Sequence, residues 1–470
     1  MTMDRYDQQQ ERGFVLLTVL MVITVTATVS TIGLSRTATD LLVTNRSAAL
    51  SRAFYLAEAG IDQVVKDYTD GLGVSALAEL RNDRIGDEDG LCEAAESCAH
   101  SRPELSGVIL SWTPSATNPR QIVVASKGRG GLEATRTVSV QLLLPSMTVR
   151  DTDAVFGASY VLVGHLGGAY GAVVIDSYNS RLGAYGATLS SPDPVYGTTN
   201  QSQVGVPSTY RVRVATNGQP NGGGSQDLGL YIRARSEIFG LPVISNRMHR
   251  NATVDIESTA VYGGTTPTVR DPITLPAVNV PAELTSSCRS DALVVQATDT
   301  VTLTGDNCYH DVFVSQNGTL ILRPGARLYQ RSAGGWLSIT NSGKIVAEGD
   351  NLVFADGSFY VDSRNGFINT TRTPTALQIR AVGHQDGNLL AQTERFYGLM
   401  YIQKKLWVHG HWDNAARTWT EAHYHGALIS GAQLEIGNSG GQPVYVHFDE
   451  ALNGTSINGE QFRLQLWQGH

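Results

Sequence analysis

The chain has 470 residues, of which 41% are hydrophobic and 17% charged, with 49 glycines and a formal net charge of -8. That length exceeds one ordinary core and asks for several segments, each with its own packing. The acidic balance excludes a broadly basic surface of the kind that binds nucleic acid. The Gly, Ser, Thr, Asn and Val that dominate after residue 100 favour short strands and turns over long helices.

Residues 1–13 form a polar leader in which Arg5 and Arg12 stand against Asp4, Asp7 and Glu11. Residues 14–34 carry no charge, and at about 1.5 Å per residue they reach roughly 31 Å, close to the thickness of a bilayer core. One transmembrane helix is predicted there. The stretch is rich in Thr, whose hydroxyls can bond carbonyls of the preceding turn and so tolerate lipid. A secretory signal fits poorly, because the start is not simply basic and Thr26-Ala27-Thr28, the candidate exit, lies inside the apolar run. Arg36, Arg46 and Arg52 follow the run, so charge alone does not orient it.

Glu11-Arg12-Gly13-Phe14, a leader ending in Gly before Phe and the apolar run, resembles a type IV prepilin processing site. The resemblance implies that a prepilin peptidase cuts between Gly13 and Phe14 and methylates the new terminus. The family usually carries Glu at the fifth mature position, where this chain has Thr18. That departure is similar to PilX-type minor pilins and the tip pseudopilin of type II secretion, and implies a rare or tip-located subunit. Residues 51–61, with Ala53-Phe54-Tyr55-Leu56-Ala57-Glu58-Ala59-Gly60, resemble the "AFxxAEAG" segment of PilX N-terminal domains. Phe54, Leu56, Ile61, Val64 and Val65 are expected to line an apolar helix side. The resemblance implies other pilins as partners and an inner-membrane anchor. The bulk of the chain would be exported to the periplasm and then reach the pilus or cell surface.

Between residues 70 and 107 the chain is polar. Asp83, Asp87, Glu88 and Asp89 lack the spacing of a calcium-binding helical hand and read as a solvated loop. Cys92 with Cys98 and Cys288 with Cys308 are sequence-local pairs. Two disulfides in an oxidising compartment are the expectation and four thiols the alternative, with three connectivities open. Residues 108–112, 121–126 and 132–144 read as strands of a small sheet against the helix, giving a pilin-like unit over 35–150.

Residues 151–281 form a Gly/Ser-rich β region that ends in a Pro-punctuated linker or edge segment at 267–281. Residues 174–186 resemble the "DSYxSxxGxYG" stretch of a β-rich domain found attached to PilX-type N-termini. Asp176 and Ser177 read as a structural turn, since no His stands in a triad context. From 282 to 470 short strands recur between turns such as Asn317-Gly318, Asn341-Ser342-Gly343 and Asp356-Gly357. The fold class is therefore mostly β with one long N-terminal α-helix. The C-terminal domain is expected to be a right-handed parallel β-helix, with a β-sandwich as the alternative. Residues 397–402, 424–429 and 446–452 resemble the closing coils of the same domain.

His409 with His411 and His423 with His425 each put two imidazoles on one strand face. They would serve zinc or copper only if the pairs met on neighbouring strands, and no metal or cofactor is assigned. Trp407, Trp412, Trp419 and Tyr424 nearby fit a stacking ladder or a contact with a surface ligand such as carbohydrate. The resemblance makes the chain a minor-pilin-like structural subunit, not an enzyme. The alternative is a membrane-anchored β-helical polysaccharide-active enzyme recruiting Asp306, Asp311, Asp350 and Asp356, which otherwise read as turn residues.

Overall fold

The computed structural model describes residues 4–67, 84–85, 108–114, 121–129, 134–143, 147–152, 155–164, 171–193, 196–202, 212–217, 228–244, 253–256, 261–262, 268–269, 273–286, 288–383, 389–413, 417–438, 442–458 and 463–469. The expected Cys92–Cys98 pair and the acidic stretch 86–89 lie outside these residues. The chain divides into two units. One holds residues 1–65, 77–143 and 464–470, and the other holds 66–76 and 144–463.

In the first unit a helix, α1, runs over Asp4–Asp67. Between Leu16 and Asp62 it contains an 18-residue window of mean hydropathy 2.0 that no described residue covers, long and apolar enough to cross a membrane. The Thr hydroxyls do turn back on their own helix, with Thr24 donating to the Leu20 carbonyl at 2.8 Å and Thr28 to that of Thr24 at 2.7 Å. Gly13 and Phe14 are helical residues of α1, and Thr18 is exposed.

The later turns of α1 are buried along Ala49, Ala53, Ala57 and Ile61, residues four apart that share one face. Small side chains rather than the expected aromatic ones carry this face, for Phe54 and Leu56 are only half-buried. The reason is a close approach: a Cβ placed on Gly128 would lie 2.0 Å from the Ala53 carbonyl oxygen. Gly128 belongs to an antiparallel sheet in which Val108–Pro114, Gln121–Arg129 and Thr135–Leu143 pair in chain order. Arg463–Gly469 adds the strand beside Thr135–Leu143, so residues 144–462 intervene in sequence between two neighbouring strands of this sheet.

The second unit is a parallel β-solenoid. Leu320 pairs with Ile345 and Ile345 with Phe367, all three pointing inward, while the residues between them are partly exposed. Thr300 pairs with Thr319 and Thr319 with Lys344, so successive rungs differ in length, which blurs any sequence repeat. Parallel pairing throughout these rungs rules out the sandwich alternative, whose sheets are antiparallel. The turns stack as well: Asn317 and Asn341 both have positive φ, and Asn317 N–H donates to the Asn341 carbonyl at 3.2 Å.

The rungs do not follow chain order from one end to the other. Residues 293–449 wind up to the strands Ala422–Ser430, Gln433–Ile436 and Val444–Asp449. Upon these sit Val155–Gly157, Tyr160–Val163 and Val173–Tyr178, in parallel register. Val212–Thr216, Leu228–Ile232 and Glu237–Ile238 form the next rung outward. Segments 151–281 and 282–470 therefore supply strands to the same sheets and one core.

This order requires the chain to return along the solenoid between residue 269 and residue 293. Residues 273–281, expected as a linker or edge, make that return as a strap. Asn217 exchanges two hydrogen bonds with Ile273, Tyr401 Oη donates to the Pro276 carbonyl at 2.6 Å, and Asn279 N–H reaches the Asn458 carbonyl. Pro276 has no N–H to leave unpaired and offers only its carbonyl. The strap ends where Leu284 packs on Tyr329 and Phe354, beside the disulfide Cys288–Cys308.

Long strands turn corners at two stacked glycines. In Ala422–Ser430, residues 422–425 pair with 444–447 and residues 428–430 pair with 155–157, with Gly426 at φ +136 between them. A Cβ there would lie 1.9 Å from the carbonyl oxygen of its register partner Gly398. Gly426→Ala is expected to cost about 3 kcal/mol from strain and overlap together. Gly334→Ala, where a Cβ meets nothing within 4 Å, should stay within about 0.5 kcal/mol of the parent. Chemical unfolding of the full chain in detergent checks both.

Candidate functional site

The site grows on the outer face of the rungs where the first coil sits on the last. Along Ala422–Ser430, Ala422 and Tyr424 enter the core, which leaves His423 and His425 outside. Along Val444–Asp449, Val444 and Val446 point inward, leaving Tyr445 and His447 outside. Along Val173–Tyr178, Val173 and Ile175 point inward and Asp176 outward. Parallel register then aligns Tyr397, His425, His447 and Asp176 in one row across four strands, and Arg395, His423 and Tyr445 in the next.

The rings stack as the register demands. Tyr397 lies on His425 with centroids 4.2 Å apart, and His423 lies on Tyr445 at 4.6 Å. A loop roofs the row, with the Tyr185 ring 4.0 Å from that of His447. Asn200 braces this loop by donating to the Asn179 and Gly183 carbonyls, and Asp449 accepts from Ser180 N–H at 2.9 Å. Under the roof His425 and His447 are 6% and 2% exposed.

A chain of close polar contacts runs through these groups. Tyr185 Oη donates to Asp176 Oδ2. Asp176 Oδ1 lies 2.7 Å from His447 Nδ1, His447 Nε2 lies 3.2 Å from His423 Nδ1, and His423 Nε2 lies 2.6 Å from Glu421 Oε1. Burial, then the neighbouring Asp176, pushes the Tyr185 hydroxyl well above the phenol range, so it remains a donor. Burial also pushes His425 down to about 2, with His447, His423 and Arg395 adding to the effect, so its imidazole is neutral. His423 is lowered by burial, against the opposing pull of Glu421. Asp449 is raised by burial even though two backbone N–H groups, of Ser180 and Ala451, hold its Oδ1.

Beside the row opens a cleft of about 520 Å³ whose lining includes Tyr178, Tyr185, Arg372, Arg395, Tyr397 and His423. Aromatic faces with two guanidinium groups suit a flat or anionic ligand. Imidazoles could hold a metal: His423, His425 and His447 each bring one ring nitrogen within 4.8 Å of the others.

The condition set for a metal site, that the two HxH pairs meet on neighbouring strands, is not fulfilled, for His409 and His425 lie on strands of different sheets. The cluster takes its third imidazole from His447, while His411 approaches Asp362 and His409 lies against Trp419. Trp412 and Trp419 face each other across a short antiparallel pair, and Tyr424 is buried. Asp176 and Ser177 lie in a strand, not a turn, and the histidine that pairs with Asp176 comes from 271 residues away. No local motif could show that pairing, although both partners fall in segments that resembled one domain's opening and close. The four carboxylates of the enzyme alternative occupy separate structural posts. Asp306 holds Arg327, Asp311 holds the Trp336 N–H, Asp356 accepts from Tyr329 Oη, and Asp350 sits in a turn at positive φ.

No protein-family model matches the chain, and no curated protein matches it. Among solved structures, the crystal structure of competence-associated pilin ComZ from Thermus thermophilus aligns with 13% identity. The alignment covers 89% of this chain and 97% of that one, at a TM-score of 0.26. At that score the superposition carries no argument. The chain's own described features are a long helix whose apolar part is uncovered, a small antiparallel sheet and a parallel solenoid.

Asp176→Ala strands the buried His447 Nδ1 and Tyr185 Oη, and is expected to destabilise the chain by about 3 kcal/mol. Glu421 sits at the solvent end of the same row of contacts, its side chain 49% exposed, so Glu421→Ala should cost less than about 1 kcal/mol. Denaturant midpoints of the two variants check the difference.

Proposed function

We propose that the chain is a minor-pilin-like subunit of a type IV pilus or related filament, held in the inner membrane by α1 before assembly and carrying the solenoid outward. The observation that carries this reading is the division of labour along α1. Its apolar part leaves Leu16, Leu17, Met21 and Leu34 at 70%, 66%, 67% and 72% exposure. Its later turns bury Ala53, Ala57 and Ile61 within the first unit. An uncovered apolar helix needs lipid or other helices around it, and a filament core of pilin helices supplies the second after the membrane supplies the first.

In this reading Gly13 and Phe14 mark the cut by a prepilin peptidase, and Thr18 takes the position where a bulk subunit would carry Glu. The absence of that carboxylate favours a rare, tip-located place from which the solenoid is displayed. The cleft beside Tyr185 and Tyr397 is then the surface offered to an external ligand such as carbohydrate. Cys92–Cys98 would add a second disulfide in the oxidising periplasm.

Intact mass and N-terminal sequencing of the full chain, expressed with and without a prepilin peptidase, test the reading. A chain starting at methylated Phe14 only when the peptidase is present is expected. An uncut start in both cases, or a cut elsewhere, would overturn it.

A further inference from the structure

We propose that His423, His425 and His447 bind one divalent transition-metal ion, of the zinc type, where the first coil of the solenoid meets the last. The argument starts from proton positions. An ionised carboxylate only accepts, so Asp176 requires the proton of His447 on Nδ1, and Glu421 requires that of His423 on Nε2. The nitrogens left over, His447 Nε2 and His423 Nδ1, then face each other 3.2 Å apart with a lone pair on each. Two neutral rings so arranged repel, and a positive charge between them is what the geometry lacks.

A shared proton would serve those two nitrogens and no third. The third is present: His425 stacks against His447 with centroids 4.5 Å apart, and its Nδ1 is buried with no hydrogen-bond partner among the described residues. One ring nitrogen of each of the three histidines lies within 4.8 Å of the other two. Metal–nitrogen bonds of about 2.0–2.1 Å put ligand nitrogens roughly 3–4 Å apart, so small rotations of the rings close the site. Asp176 and Glu421 stand behind two of the ligands, the arrangement that fixes ring orientation and raises ligand basicity around zinc. These two carboxylates also offset Arg395, whose register position is directly beside His423. Neutral imidazoles select zinc, copper or nickel over calcium or magnesium. His423 and His425 also line the cleft, which leaves a coordination position open on that side.

Such an ion would tie the strand of His423 and His425 to that of His447, and through Asp176 to the first coil. This inference does not depend on the pilin reading.

The test uses the full chain in detergent, stripped with chelator and dialysed against zinc, with metal measured per chain. About one tightly held equivalent is expected, together with tetrahedral visible bands when cobalt replaces zinc. Saturating zinc should raise the melting temperature by roughly 5 °C. His425→Ala leaves the Tyr185–Asp176–His447 and His423–Glu421 hydrogen bonds intact and should remain folded by circular dichroism while losing both the equivalent and the cobalt bands. Asp176→Asn should weaken binding roughly tenfold or more, whereas His310→Ala, on an exposed ring elsewhere, should change nothing. Less than about 0.1 equivalent in the parent chain, or undiminished binding in folded His425→Ala, would overturn the proposal.

Discussion

The second unit depends on one set of backbone hydrogen bonds, those that join Val444–Asp449 to Val173–Tyr178 and Gln433–Ile436 to Tyr160–Val163. Each side of this seam is an unfinished sheet edge without the other, and an open parallel edge buried on one face is a liability. Across the seam Val446 meets Ile175 and Leu434 meets Val161, so the apolar interior runs on without a break. The incoming and outgoing segments of the unit also pair, Thr148 opposite Ser456, which holds the two ends of a long insertion together. Because rungs near the seam come from opposite ends of the unit, the chain needs the strap 273–281 to reach the far coil.

The polar site follows from the same seam. Strand alternation sends every second residue outward, and the register sets Tyr397, His425, His447 and Asp176 side by side. An outward row would ordinarily be wet, but the loop carrying Tyr185 covers it. A polar row under cover must satisfy its groups internally, since each lost partner costs more in a dry environment than in water. That demand explains the carboxylates at both ends, Asp176 between Tyr185 and His447, and Glu421 on His423. It also makes the exceptions informative: His425 Nδ1, Tyr178 Oη and Asp449 Oδ2 are buried without partners among the described residues.

How much of this was legible in the sequence differs between the two units. The helix was plain, because charge-free length and the Thr content of residues 14–34 are local properties. Its packed face was misjudged toward Phe54 and Leu56, since a close helix–sheet approach rewards Ala53 and Ala57 through a glycine, Gly128, that lies far away in sequence. The stacked turns at Asn317 and Asn341 were visible as short punctuated strands, whereas the solenoid's order was not. Unequal rungs hide the period, and a strap reads like a linker when only its prolines are seen. His423 and His425 stood out as a pair on one strand face, but their partners His447 and Asp176 came together only through register across a seam that joins opposite ends of the unit.

The seam itself is the most direct object for measurement. Val174 and Tyr445 are register partners across it, and neighbouring strands about 4.8 Å apart place paired Cα atoms within reach of a disulfide. The double variant Val174→Cys, Tyr445→Cys, oxidised in the full chain and mapped by mass spectrometry of its peptides, should yield a disulfide between these two positions in most molecules. Recovery of both introduced cysteines as free thiols under conditions that keep Cys288 joined to Cys308 would contradict the account, because the first coil would then not sit on the last.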